Sequence, residues 1–204
     1  MPTRLDNIMV DCETLGTLAD APIMSIGAVR FDPFSEEIAD QGFYRSITLQ
    51  SNFDHGRRTS EDTLKWWMGQ AATNPGAATV FTEPKIDLET ALSEFVAWYW
   101  DYETHIHKKQ ILKRDTLLWS NGADFDIPMI NHALDSCRIP IPWNFWNSRC
   151  VRTYKNLPGA ERLRVPRIGT YHNALGDAIT QAMLVQLVNR TLFPPVVNGF
   201  MKSS

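Results

Sequence analysis

With 204 residues, 44% of them hydrophobic and 21% charged, the chain can bury a sizeable core as one compact domain over residues 1–204, and its formal charge of −3 argues against a uniformly basic binding surface. Three scattered cysteines (Cys12, Cys137, Cys150) offer neither a CxxC pair nor an even count, so no disulfide framework or zinc knuckle is expected and a reducing, cytoplasmic setting is. No charged-then-apolar leader opens the sequence and no apolar run approaches the roughly 18 residues that span a bilayer, so neither export nor membrane insertion is expected.

Residues 5–13 read as a strand that closes on Asp11-Cys12-Glu13, and residues 22–31 as a longer strand stopped by Asp32-Pro33. Residues 38–49 alternate well enough for a third strand, giving an antiparallel meander. Segment 60–70 opens on Ser60, a good N-cap, with Glu61 and Asp62 in the first turn, and predicts a short helix. After a loop through Asn74-Pro75-Gly76, Leu88, Ala91, Leu92, Phe95 and Tyr99 recur at helical spacing and predict a helix over 87–105. A strand over 116–120, a turn at Asn121-Gly122 and a helix over 126–137 follow. Residues 145–154 read as a weaker strand, 158–170 as a Pro/Arg-rich loop, and 176–190 as a last helix closed by Pro194-Pro195. Strands first and then helices alternating with strands describe an α/β domain with a mixed sheet.

Three short motifs carry chemistry. In a strand, residues i and i+2 face the same way, so Asp11 and Glu13 project together, and two adjacent anions call for a cation between them. If a helix starts at Asp126, then Ile130, Ala133, Leu134 and Cys137 complete its apolar stripe, which turns Asp126 toward the sheet. Asp124 would point roughly 160° away and reads as a cap or solvent group. In the third motif, Asp177 heads the stripe of Leu184, Val185 and Val188, and His172 precedes it on a loop, with an ordinary pKa that lets it accept a proton near neutrality. Two divalent cations on these four carboxylates would carry the formal charge from −3 to +1 and make the site attract phosphate. Basic groups also cluster at Arg57-Arg58, Lys108-Lys109, Lys113-Arg114 and over Arg149, Arg152, Lys155, Arg162, Arg164 and Arg167.

Asp11-Cys12-Glu13-Thr14, Asn121-Gly-Ala-Asp-Phe-Asp126 and His172-Asn-Ala-Leu-Gly-Asp177-Ala178 resemble the three motifs of the DEDDh, or DnaQ-like, 3′→5′ exonuclease superfamily. Thr63-Leu-Lys-Trp-Trp67 and Phe145-Trp-Asn-Ser-Arg-Cys-Val-Arg-Thr153 are similar to its ribonuclease T-like subgroup, which includes phage exonucleases of the DexA type. The second motif departs from the family's His-Asn-Ala, with Ser120-Asn121-Gly122-Ala123 in that place. The resemblance implies a ribonuclease H-like fold, a five-stranded mixed sheet flanked by helices. It implies that Asp11, Glu13, Asp126 and Asp177 bind two Mg²⁺ or Mn²⁺ ions, with His172 as general base. Single-stranded nucleic acid or 3′ overhangs, DNA or RNA, are the implied substrate, nucleoside 5′-monophosphates the product, and a homodimer the suggested assembly.

For substrate contacts the resemblance points to Thr14 and Leu15, through backbone amides and an apolar wedge. Trp66 and Trp67 lie about 100° apart on a helix, so at most one can stack a base; core packing or a dimer interface is the commoner role for such a pair, and Trp67 is the one assigned to substrate. Trp98, Trp100, Trp119, Trp143 and Trp146 read as core, and Met129 and Met183 as filler. Two other readings keep the same residues: an idle module that only holds 3′ ends, and a phosphoesterase of small nucleotides.

Overall fold

The alternation of side chains along one central strand decides which residues can meet. In the computed structural model, which describes residues 5–105 and 116–194, strand β1 (Asn7–Thr14) runs through the middle of a five-stranded sheet of order β3-β2-β1-β4-β5. On one side β2 (Ile23–Phe31) and β3 (Phe43–Ser46) add antiparallel; on the other β4 (Leu117–Ser120) and β5 (Ser148–Cys150) add parallel. This is the mixed sheet expected from the sequence. The even residues of β1 (Ile8, Val10, Cys12) pack beneath α4 (Leu88–His105) and α5 (Asp126–Ser136), against Leu92, Phe95, Ile130 and Leu134. The odd residue Met9 packs on the opposite face with Val29, Trp119 and the Ala178, Ala182 and Val185 stripe of α7 (Ala174–Leu192). Each such aliphatic or aromatic side chain removed from water stabilises the layer by roughly 1.5–3 kcal/mol. Asp11 and Glu13 continue the odd series, so their carboxylates leave the strand on the α7 face.

Close contact between that helix and the sheet depends on Gly27, which pairs with Asp11 across the β1–β2 ladder. A Cβ there would stand 2.1 Å from the Leu175 backbone nitrogen, so only glycine lets the first turn of α7 rest on the sheet. Asn173 caps α7, its Oδ1 accepting from the Gly176 N–H at 2.9 Å, and the helix therefore starts at Ala174 rather than 176.

Several elements differ from the sequence reading. The third strand is limited to Phe43–Ser46, and Ile38 makes only an isolated bridge to Phe31. Thr48 caps a short helix α1 (Leu49–Asp54) in place of the strand's end, and buried Asn52 holds that helix to Ile23 by accepting from its N–H at 2.9 Å and donating to its C=O at 3.0 Å. Helix α2 (Glu61–Thr73) starts at its expected Ser60 cap. The loop after it coils into a 3-10 turn, Pro75–Ala78, and α3 (Thr79–Thr82), since a proline at the first position is preset for helix. The weak strand over 145–154 is a correction: a 3-10 turn and β5 are followed directly by α6 (Val151–Lys155). Trp146 is likewise not core, being 57% exposed beside Phe145, because the parallel edge is only three residues long. The basic pairs Lys108-Lys109 and Lys113-Arg114 lie outside the described residues. Among those described, no helix is long and apolar enough to cross a membrane.

Candidate active site

Where β1 ends, the two helix starts come to it from opposite sides. Asp11, Glu13 and Asp177 each offer a carboxylate oxygen within 4.8 Å of the others'. Asp126, the first residue of α5, borders the same cleft without joining that trio; its Oδ1 accepts from the Cys12 backbone N–H at 3.1 Å and it is 2% exposed. Asp124 is exposed. The cleft has a volume of about 290 Å³ and is also lined by Arg152, Arg167, His172 and Gln181.

Burial and mutual repulsion make this cluster costly. Burial foremost, then the charges of Asp126, Glu13 and Asp177, hold the Asp11 carboxyl well above the usual carboxylate range. Burial and the charges of Asp177 and Asp126 push Glu13 up to about 8, against the pull of Arg167. Burial pushes Asp126 up to about 7, opposed by its backbone hydrogen bonds. Acids so raised at neutral pH are short of positive charge. The donor set, hard carboxylate oxygens with the buried and otherwise unbonded Gln181 Oε1 and Asn121 Oδ1 close by, fits Mg²⁺ or Mn²⁺ and not a thiophilic metal.

His172 adopts φ = +60°, a left-handed conformation unusual for a residue with a side chain and worth roughly 1–3 kcal/mol of strain. The ring is boxed edge-on by Trp66 and Trp67, at centroid distances of 5.0 and 5.4 Å. Its Nε2 lies 3.2 Å from Gln70 Oε1, an atom that can only accept, so Nε2 carries the hydrogen. That leaves Nδ1 with its lone pair, 4.0 Å from Glu13 Oε2. Burial lowers the His172 pKa and the charge of Arg167 adds to the effect, against the pull of Asp177; the imidazole is thus neutral and basic at pH 7.

Three partners escaped the sequence reading. Gln181 donates its Nε2 hydrogen to Asp11 Oδ1 at 2.7 Å; it lies one turn after Asp177 on α7, and that i+4 spacing was a usable signal. Gln70, near the end of α2, carried no signal. Arg167 read only as one of a basic cluster, yet its guanidinium grips Asp177 at both oxygens, at 2.6 and 2.9 Å.

A second, mainly apolar groove of about 400 Å³ adjoins the cleft and shares Cys12, Glu13 and Phe125 with it; Thr14, Trp66 and Trp67 line it. Thr14 is 7% exposed, its hydroxyl donating to the Gly16 C=O. Leu15 does not line the groove: at 2% exposure it packs in a small core with Met24, Ala77 and Val80. Trp67, also 2% exposed, spends its indole N–H on the Thr14 C=O at 2.9 Å, while its neighbour Trp66 is 47% exposed. The 100° step between them sends one ring into the core and leaves the other to the groove, with Trp66 the outer of the two.

The family model described as the 3′-5′ exoribonuclease Rv2179c-like domain matches residues 6–189. An exodeoxyribonuclease of Enterobacteria phage T4 is 25% identical over 167 residues, covering 72% of this chain and 69% of the relative. Among solved structures, the nuclease domain of 3′hExo, a DEDDh family member bound to rAMP, superposes with a TM-score of 0.55 at 13% identity over 91% of each chain. Cell-death related nuclease 4 (CRN-4) superposes with a TM-score of 0.58 at 11% identity, over 91% of this chain, which spans 64% of the length of that one. The ribonuclease H-like fold of the DEDDh nucleases is therefore that of this chain, and the chain belongs to the 3′-5′ exoribonuclease Rv2179c-like domain family of 3′→5′ exonucleases.

Proposed function

We propose that this exonuclease removes nucleoside 5′-monophosphates from the 3′ ends of single strands or 3′ overhangs, with Asp11, Glu13, Asp126 and Asp177 holding two divalent cations, Mg²⁺ or Mn²⁺. The observation that carries this reading is the convergence of three acids within 4.8 Å beside a neutral histidine and an open groove. Cations held by these groups would activate a water and offset charge on the leaving 3′ oxygen. Glu13 and Asp126 would give up their protons to such cations, whose positive charge lowers the carboxyl pKa that burial raises. His172 accepts the water's proton at Nδ1, while Gln70 at Nε2 and the edge of buried Trp67 fix the ring. Gln181 orients Asp11, and Thr14 and Trp66 receive the terminal nucleotide. Three free thiols fit the reducing interior of a cell, the cytoplasm.

Matched DNA and RNA oligonucleotides, single-stranded or with 3′ overhangs and 5′-labelled, test the reading directly. A ladder shortening from the 3′ end in Mn²⁺ is expected, and His172→Ala is expected to slow it by about 10²- to 10⁴-fold, the range for a lost general base. Full-length substrate after prolonged digestion would leave only an end-binding module. The rates on the two sugars settle which is preferred, since the matched family is described as exoribonuclease and the phage relative as exodeoxyribonuclease.

Stacking on Trp66 has its own signature. Trp66→Ala should raise KM by roughly 5- to 150-fold, equivalent to about 1–3 kcal/mol for one base on an aromatic ring, with kcat little changed. Equal losses in kcat would show that the ring serves to pack His172 instead.

A further inference from the structure

The pairing of Arg167 with Asp177 is at odds with a simple ligand role for that acid. The guanidinium faces both carboxylate oxygens, Nη1 to Oδ1 at 2.6 Å and Nη2 to Oδ2 at 2.9 Å. One of those oxygens belongs to the trio that converges with Asp11 and Glu13. A cation on Asp177 takes electron density from the same carboxylate and repels the neighbouring guanidinium, so the two compete. Arg167 is also incompletely satisfied, since its Nε–H is buried without an acceptor.

The surroundings constrain how Arg167 can respond. Its backbone is held firmly: the next residue, Ile168, donates its N–H to Thr180 Oγ1 at 3.0 Å. The Ile168 carbonyl lies so close to Gly176 that a Cβ there would approach it to 2.5 Å. Movement is therefore left to the side chain, whose guanidinium lies over the Tyr171 ring at 4.2 Å and donates from Nη2 to the Thr170 C=O at 3.1 Å. The side chain lines the cleft wall, with Asn121-anchored Arg152 also on its border. A planar fork suited to a carboxylate is equally suited to two phosphate oxygens.

We propose that Arg167 is a further catalytic residue, a displaceable guanidinium that gives up its grip on Asp177 as the cations load and transfers its fork to the phosphate at the substrate's 3′ end. This rests on the proposed two-cation reading. Metal loading and delivery of a phosphate ligand are then one event: the acid that gains a cation frees the arginine that the incoming anion needs.

Metal affinity and turnover must then move in opposite directions when Arg167 is replaced. Mn²⁺ is titrated calorimetrically into chelator-stripped wild type, Arg167→Gln, Arg167→Lys and Asp177→Asn, and single-turnover cleavage of a 3′-overhang oligonucleotide is measured on the same preparations. Arg167→Gln should bind Mn²⁺ about 10-fold more tightly, with a competitor gone, yet cleave about 10²-fold more slowly, the scale of one lost charge-stabilising donor. Arg167→Lys keeps the charge without the fork and should fall between wild type and Arg167→Gln in both, and it serves alone if the glutamine variant does not fold. Weaker Mn²⁺ binding together with slower cleavage would reduce Arg167 to a positioning residue for Asp177 and overturn the proposal. Tighter binding with unchanged cleavage would overturn the phosphate contact. Failure of the two-cation reading is separately visible: wild type and Asp177→Asn would then bind Mn²⁺ equally weakly.

Discussion

Asp11→Asn should leave the protein folded, lower exonuclease turnover by about 10⁴-fold, the scale of losing one member of a constellation that acts as a unit, and raise the melting temperature of chelator-stripped protein. The two opposite effects have one cause. Asp11 is half-buried at the meeting point of three other acids, and its carboxyl is held well above its ordinary pKa by desolvation first and by Asp126, Glu13 and Asp177 next. Without a cation that arrangement is destabilising, so removal of the charge relieves the fold. Asparagine keeps the shape and keeps an oxygen for the Gln181 Nε2–H, now 2.7 Å from Oδ1, whereas alanine would add a cavity and confuse the comparison. An acid retained only for structure would behave in the reverse way, costing stability when neutralised. Asp124→Asn is the matched control, since Asp124 is exposed and outside the cleft, and it should cleave at the wild-type rate. Retained metal-dependent cleavage in Asp11→Asn would remove the strand-end pair from the site.

What could be read from the sequence here is what short-range periodicity determines. The period of two in β1 put Asp11 and Glu13 on one face, and the apolar stripe of α5 turned Asp126 inward; neither needs knowledge of the rest of the molecule. Contacts that depend on tertiary approach were out of reach. Arg167 reaches Asp177 only because Gly176 lets the 158–170 loop press onto α7, and Gln70 meets His172 across 102 residues of chain. The choice between Trp66 and Trp67 shows the boundary well. Helical spacing required that they diverge, but which ring is covered depends on Leu15, Ala77 and Val80 packing under α2, so the ring expected to stack is the one whose N–H is spent on Thr14. The strand expected over 38–49 was drawn too long for a related reason: Thr48 and Asn52 divert the chain into a helix through side-chain hydrogen bonds that a hydrophobic pattern does not register.

Chelator-stripped protein should lose stability as pH rises, and Mn²⁺ should remove that loss. Glu13, pushed from 4.5 to about 8, and Asp126, pushed from 3.8 to about 7, both prefer the protonated form in the fold, as Asp11 does. Their folded pKa values exceed the unfolded ones, so the unfolded chain binds fewer protons between about pH 4 and pH 8, and the contribution present below that window is lost as pH rises through it. His172 has the opposite sign, because its folded pKa is lowered and its stability contribution is lost as pH falls below the unfolded value of 6.5. One histidine against three acids leaves the net slope downward toward alkaline pH. Each pH step of one that separates a group's folded and unfolded pKa is worth about 1.4 kcal/mol, so the combined loss between about pH 5 and pH 8 amounts to several kcal/mol. A loss of that size is visible in thermal melts taken one pH step apart. Metal binding requires the deprotonated acids, so the stabilisation by Mn²⁺ grows over the same interval in which the stripped protein weakens, reaching about 2.7 kcal/mol at 100 times Kd. Glu13→Gln should flatten both curves, since its side chain neither titrates nor binds the cation well. Stripped protein that is equally stable at both ends of the window, or more stable at pH 8, would mean that these carboxylates are already compensated by the protein. The site would then have no electrostatic need of a cation, and the acids at the end of β1 would be a structural network rather than a metal centre.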